Sequence, residues 1–383
     1  MNSLDYTVKL DVLQKGYDKK YCWVHCRAGA IPKGDNATVV MTAQPLNIKG
    51  CDVFKELKMN FTQDMGKSWS GFLEQPGFLS GQTENGVVIC VCDFTPAWHE
   101  KTGKLLGTGH TTYYSDNRII DGFRPRETAY SVYDEDKKIW GNWKTVKMPD
   151  PDGYFFNSGA GCTQRVDLTD GSILLPFYFK GEHSLFSSSV MKCSFDGENL
   201  EYITHGSELT IDAGRGLYEP SLAKYKENYY MTMRADEKGY LSASKDGMYF
   251  EKPVPWTWDD GTLLPTYNTQ QHWVTHSEGL FLVYTRIAGD NGHVFRHRAP
   301  LFMARMDTEK LCLIRDSEKI IVPQRGARLG NFGTVNVSPH ETWVTVSEWM
   351  QPEGCEKYGS DNSVYAARIT WNCENLCVRT VNI

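Results

Sequence analysis

Residues 215–250 read RGLYEPSLAKYKENYYMTMRADEKGYLSASKDGMYF. Three short strands can be read in them, at 221–224, 229–234 and 239–244, separated by polar turn segments at 225–228 and 235–238. The stretch runs into Ser244-Lys245-Asp246-Gly247, a turn whose aspartate can accept hydrogen bonds from following amides while the glycine takes positive φ. Phe250 closes it, so the stretch is one complete antiparallel unit. Glu219 precedes the first strand and Arg234 ends the second. A carboxylate and a guanidinium thus stand at strand ends, where loops present side chains to a ligand. The structural alternative is a salt bridge between neighbouring strands.

The chain of 383 residues is long enough for one large all-β domain or two ordinary ones. Aromatic residues make up 13%, with 34 Gly and 16 Pro, and there is no long amphipathic helical pattern, so many short strands and turns are expected. The net charge of -6 is mild and no Lys/Arg block stands out, which argues against a nucleic-acid partner. No apolar run is long enough to cross a bilayer, so no membrane partner is expected. The start, MNSLDYTVK, lacks the apolar core of a secretory signal. The expected compartment is therefore the cytoplasm, or the periplasm or exterior with a signal peptide already removed. Eleven cysteines is an odd count, and the close pairs Cys22/Cys26, Cys90/Cys92 and Cys373/Cys377 lie among apolar residues. Buried reduced thiols are expected, with no metal site and no cofactor.

A repeat organises the rest. Residues 62–69 read TQDMGKSW, which fits Ser/Thr-x-Asp-x-Gly-x-x-Trp, the Asp-box turn that joins the two outer strands of a β-propeller blade. Degenerate echoes end at Leu200 and Phe250, and further unit ends lie at Trp143, near Leu313 and at Trp371. Six units of roughly 50 to 75 residues account for the chain, each large enough for a four-stranded sheet. The second unit is the longest, its segment 95–108 reads as an irregular insertion, and a seventh blade could be hidden in this long unit. A spare N-terminal strand at 6–13 can complete the last blade and close the ring. No Pro-, Gly- or Ser-rich linker interrupts the chain, so residues 1–383 read as one domain.

These features resemble the sialidase superfamily of β-propellers. That resemblance implies an all-β, six-bladed fold and a glycoside hydrolase acting on an oligosaccharide or polysaccharide with a carboxylate, such as a sialic or uronic acid. It implies an arginine near Ile-Pro in the first blade, matched loosely by Arg27 before Ile31-Pro32, and an aspartate before the first Asp-box, matched by Asp52. It also implies Glu-Pro with an arginine one hairpin later, matched by Glu219-Pro220 and Arg234, and a third arginine, for which Arg298 fits and Arg296 is equally placed. Three converging guanidiniums would clamp a carboxylate, and an adjacent Asp or Glu could act as general acid or base at an acetal. Where the family carries its nucleophilic tyrosine, this chain has Phe332 in Gly330-Asn331-Phe332-Gly333, and a phenyl ring cannot attack an anomeric carbon. Tyr218, adjacent to Glu219, is the phenol that could substitute from a different direction.

The histidines suggest a second chemistry. His99 and His110 lie in unit two, Tyr154 and Arg165 follow in unit three, and His25 stands near Arg27. A histidine or tyrosine that moves the α-proton of a uronate, with an arginine on its carboxylate, is what β-elimination requires. This set resembles, more weakly, propeller polysaccharide lyases and histidine-dependent rhamnosidases. A third reading is a glycan-binding propeller without catalysis.

Overall fold

The structure, a computed structural model, describes residues 4–378 apart from positions 51, 84, 117, 121 and 151. It is nearly all-β, with six antiparallel sheets in the described residues. The inner strands come in chain order from Tyr21–Lys33, Val88–His99, the broken pair Asn157–Gly159 and Val166–Asp167, Tyr218–Tyr225, His272–His276 and Phe332–Ser338. Tyr6–Gln14 pairs antiparallel with Val364–Trp371, so the N-terminal strand completes the sixth sheet. This placement agrees with the strand read at 6–13.

The core sits as wedges between adjacent sheets. Sheets five and six share Val283, Met303, Phe332, Val344 and Trp371. Sheets four and five share Trp256, Trp273, Leu282 and Tyr284. Sheets six and one share Val39, Met41, Val337, Trp343 and Ala366, which closes the ring. Because both faces of a blade are covered, central strands are continuous apolar runs, as in Ile173–Lys180, where ILLPFYF is buried throughout.

Turns between the third and fourth strands carry a repeated bond pattern. Asp64 Oδ1 accepts from Thr62 Oγ1 (2.8 Å) and Ser68 N (2.9 Å), while Thr62 Oγ1 accepts from Gly66 N (2.9 Å). Asp246 Oδ1 accepts from Met248 N and Tyr249 N, each at 2.8 Å, and Ser244 Oγ accepts from Gly247 N at 2.9 Å.

The expectation for 95–108 is corrected. Val88–His99 and Lys104–Ser115 form one long hairpin, in which Pro96 pairs with Gly107 and His99 with Lys104. Pro96 is tolerated in this hairpin because an inner strand is a sheet edge, where a missing N–H costs no ladder bond.

Candidate functional site

The inner strands bulge at one end of the ring. In blade one the register slips between Val24 and Arg27, in blade two between Cys92 and Thr95, and in blade four between Tyr218 and Ser221. Each slip inserts one extra residue, and the first residue of each bulge has positive φ: His25 at 57°, Asp93 at 53° and Glu219 at 48°. Cys162, in the break of the third inner strand, has φ 61°. Left-handed backbone costs a non-glycine residue about 1 kcal/mol or more, and bulges re-aim side chains beside functional sites. Blades one, two and four thus spend strain to turn three polar side chains toward one place.

That place contains a buried charge network. Arg27, fully buried, donates from Nη2 to Asp93 Oδ1 (2.9 Å) and Gln270 Oε1 (3.1 Å), and from Nε to the Phe332 carbonyl (3.2 Å). His25 Nε2 lies 3.3 Å from Asp93 Oδ1, and its Nδ1 lies 3.0 Å from Gln44 Oε1. His110 Nε2 is 3.9 Å from Asp93 Oδ2. Burial opposes ionisation of Asp93, but His25, Arg27 and His110 outweigh it and hold the carboxyl far below its usual range. Burial, then the nearby Arg126 guanidinium, pushes His110 down to about 3, and burial also lowers His25. Both imidazoles are therefore neutral at pH 7, and Arg27 is the cation that balances Asp93.

Glu219 and Arg234 form a second pair. Arg234 Nη1 donates to both Glu219 oxygens, at 2.6 and 2.7 Å, and its Nε donates to Asn268 Oδ1 at 3.1 Å. Arg298 donates from Nε to the Asn268 carbonyl at 3.1 Å. The segment 268–270 therefore touches all three arginines, and the field of Glu219 reaches each of them. Arg298 differs from the other two. It is 4% exposed, and among the described residues no carboxylate is in ion-pair contact with it. Burial, then the Arg234 and Arg328 guanidiniums, holds its pKa well below the usual arginine range. Arg296 is partly exposed and lies over the Phe295 ring, so Arg298 is the arginine turned inward.

The stretch Gly330–Gly333 plays a different part from the one expected. Phe332 is fully buried in the wedge between sheets five and six, edge-on to His272, so it does not occupy a nucleophile's position. Its glycines make room for the arginines. A Cβ at Gly330 would meet Arg298 Cδ at 2.8 Å, and one at Gly333 would meet Arg27 Cγ at 2.8 Å.

Tyr218 is buried beside this pair, but its hydroxyl is already engaged. It donates to Asp236 Oδ1 at 2.7 Å and accepts from Arg215 Nη2 at 2.5 Å. Burial would raise Asp236, but Arg215 and Tyr218 outweigh it and bring that carboxyl down to about 2, too weak a base to free the phenol. Asp52 is exposed, with φ 52°, and its carbonyl accepts from Tyr114 Oη at 2.9 Å. Its charge is felt by His25, Arg124 and Arg328, which places it at the rim of the same end. Arg328 stacks on Trp349 at 4.0 Å, and burial lowers its pKa to about 10 against the pull of Asp52.

Three expected residues are not brought to this site. Arg165 is tied to Asp167 (2.8 Å), the Leu106 carbonyl (2.8 Å) and the Ala97 carbonyl (3.0 Å), beyond the blade-two bulge. His99, at the far end of its inner strand, bonds Thr102 Oγ1 (2.8 Å) and the Gly171 carbonyl (3.0 Å). Tyr154 is 48% exposed, donates to Glu208 at 2.6 Å and packs on Phe179. His110 packs on Tyr178, the residue before Phe179, so the two lie on opposite faces of that strand. His110, Tyr154 and Arg165 therefore do not form one group.

Asp93, Cys162, Gln270 and Arg328 were missed in the sequence. Asp93 left a trace there, an ionisable residue inside the apolar run Val91-Cys92-Asp93-Phe94. Several buried polar atoms at this end have no hydrogen-bond partner among the described residues: Arg27 Nη1, His110 Nδ1, Gln270 Nε2 and Arg328 Nε. Such atoms are costly unless a ligand or water completes them. Among the described residues no cluster of His, Cys, Asp and Glu is arranged to hold a metal ion. No helix among them is long and apolar enough to cross a membrane.

No family model matches the chain, and no curated protein matches it. Solved structures do. The Trypanosoma rangeli sialidase in complex with the inhibitor DANA is similar at TM-score 0.63 and 13% identity, covering 94% of this chain and 59% of that one. A Hadza microbial sialidase is similar at TM-score 0.63 and 11% identity, covering 92% and 68%. A Dyadobacter fermentans protein of unknown function is similar at TM-score 0.60 and 12% identity, covering 97% and 100%. The chain thus spans about three fifths of the length of the trypanosomal enzyme. In fold, this chain is a sialidase-like β-propeller.

Proposed function

We propose that the protein is a glycoside hydrolase acting on an acidic glycan, bound at the bulged end of the ring. The carrying observation is Arg298, a buried guanidinium with no carboxylate in ion-pair contact among the described residues, flanked by Arg234 and Arg328. An uncompensated buried cation is unfavourable until an anion reaches it. The carboxylate of a sialic or uronic acid has the right charge and forked shape. In this reading Arg234 and Arg27 complete the clamp through Asn268 and Gln270. Asp52, exposed at the rim, protonates the leaving oxygen, and Glu219 holds Arg234 in place and faces the reacting centre. The bonding of the Thr62–Asp64 and Ser244–Asp246 turns supports reading them as Asp-boxes.

A second reading, a glycan-binding propeller without turnover, is favoured by Phe332 being buried and by the Tyr218 hydroxyl being committed to Asp236 and Arg215. Elimination loses support from the separation of His110, Tyr154 and Arg165. Incubation with sialylated and uronate-terminated oligosaccharides tests all three. New reducing ends without a C4–C5 double bond support hydrolysis, and the double bond supports elimination. Calorimetric binding without either product supports the lectin reading. In the first case Asp52→Asn removes turnover while substrate still binds.

A further inference from the structure

A second group of cations adjoins the Arg234–Arg298 cluster: Arg124, Arg126, Lys180 and Arg215 come from blades two, three and four. Arg126 lies over the Tyr178 ring at 4.8 Å and the Phe186 ring at 5.9 Å, and Lys180 lies over Phe186 at 5.2 Å. Tyr178 and Tyr218 are 6.4 Å apart, and Arg215 and Arg234 lie over Tyr218 at 4.6 and 4.8 Å. The group is therefore continuous with the clamp through two tyrosine rings.

Only Arg215 in this group has an ion-pair partner among the described residues, Asp236. Arg124 bonds the Ile120 carbonyl at 3.2 Å, and Arg126 Nη1 is buried with no hydrogen-bond partner among the described residues. Glu127, next in sequence to Arg126, is used by Tyr113 and Lys147 instead. Burial, then Arg124, Arg126 and Arg215, lowers the Lys180 pKa, as crowding of like charge requires. The chain as a whole carries -6, so net composition does not explain this concentration of positive charge.

We propose that Arg124, Arg126 and Lys180 form a second oxyanion subsite, so that the preferred glycan carries a further carboxylate or sulfate beyond the one Arg298 receives. The proposal rests on the reading of the Arg298 pocket as a carboxylate site. A charge-assisted hydrogen bond is strong enough that the second anion should tighten binding about ten- to a hundredfold.

The test is calorimetric binding, needing no turnover, of three matched oligosaccharides: one with a single terminal carboxylate, one with an added sulfate ester, and one with a second carboxylate. Either dianionic ligand binding about tenfold or more tighter supports the subsite, and the better of the two identifies the anion. Arg126→Met keeps the stem over Tyr178 and should erase that gain while leaving the monoanionic ligand within about twofold. Should Arg126→Met not melt like the parent, Lys180→Met provides the same comparison from blade three. Equal binding of all three ligands, or a gain that survives both variants, overturns this subsite and leaves the Arg298 reading standing. No binding of any acidic glycan overturns both.

Discussion

The two ends of the inner strands use similar residues in opposite ways. At one end His25, Asp93 and Glu219 sit in bulges at positive φ, and among the described residues Arg298 has no carboxylate in ion-pair contact and Arg27, Gln270 and His110 each keep an unpaired atom. Farther along the same strands, polar side chains satisfy one another. Gln164 accepts from Ser221 Oγ (2.8 Å) and Trp273 N (2.6 Å) and donates to Thr334 Oγ1 (2.7 Å), which ties blades three, four, five and six together. Arg165 has its carboxylate and two carbonyls, and both nitrogens of His99 are used. Unfavourable features are thus gathered at one end and absent from these residues at the other, and strained backbone with unpaired buried atoms is what a ligand or water can relieve.

Exchanging one arginine at each end gives the sharpest contrast. Arg298→Met should weaken binding of an acidic glycan by about 100-fold or more. It should also raise the urea midpoint slightly, because it removes an uncompensated buried cation. Arg165→Met should do the reverse, costing about 3 kcal/mol in urea unfolding by stranding Asp167, with glycan affinity unchanged. If Arg298→Met destabilises as much as Arg165→Met does, the contrast between the ends fails.

Stability should also depend on pH through the site end. Burial pushes both His110 and His272 down to about 3, below the value near 6.5 of an unfolded chain. In the window between, the unfolded state binds protons that the fold refuses. The stability is therefore fully present above about pH 6.5 and is lost as pH falls toward 3, by up to about 1.4 kcal/mol per pH unit for each ring. His272→Asn should remove one proton from that slope in urea unfolding measured from pH 7 to 5; an unchanged slope counts against it. The smallest effect concerns Phe332→Tyr. A hydroxyl there enters the wedge between sheets five and six, so a loss of about 1 to 3 kcal/mol and no new activity are expected. A gain in turnover would place residue 332 in the pocket after all.

Much of the fold was legible because strand and turn signals are local. The strands read at 229–234 and 239–244 correspond to Asn228–Arg234 and Gly239–Ser244, and the strand at 6–13 found its partner in Val364–Trp371. The hairpin through Pro96 was not legible, since proline's cost depends on whether its strand is an edge. Of the candidate site, the Glu219–Arg234 pairing was legible because its motif is compact. The site was not legible where residues meet only through ring closure: Arg27 with Asp93 and Gln270, or Arg298 with Asn268.

The sequence by itself determined six strand-rich units, the turns between their outer strands, the spare strand that closes the ring, and a set of candidate arginines and acids. Only the tertiary structure decided which arginine keeps its charge free and which histidines and tyrosines lie apart. It also decided that Phe332 is core. The physical reason is that residue type and spacing fix local conformation. Whether a buried charge is compensated depends on groups that the ring brings from distant blades.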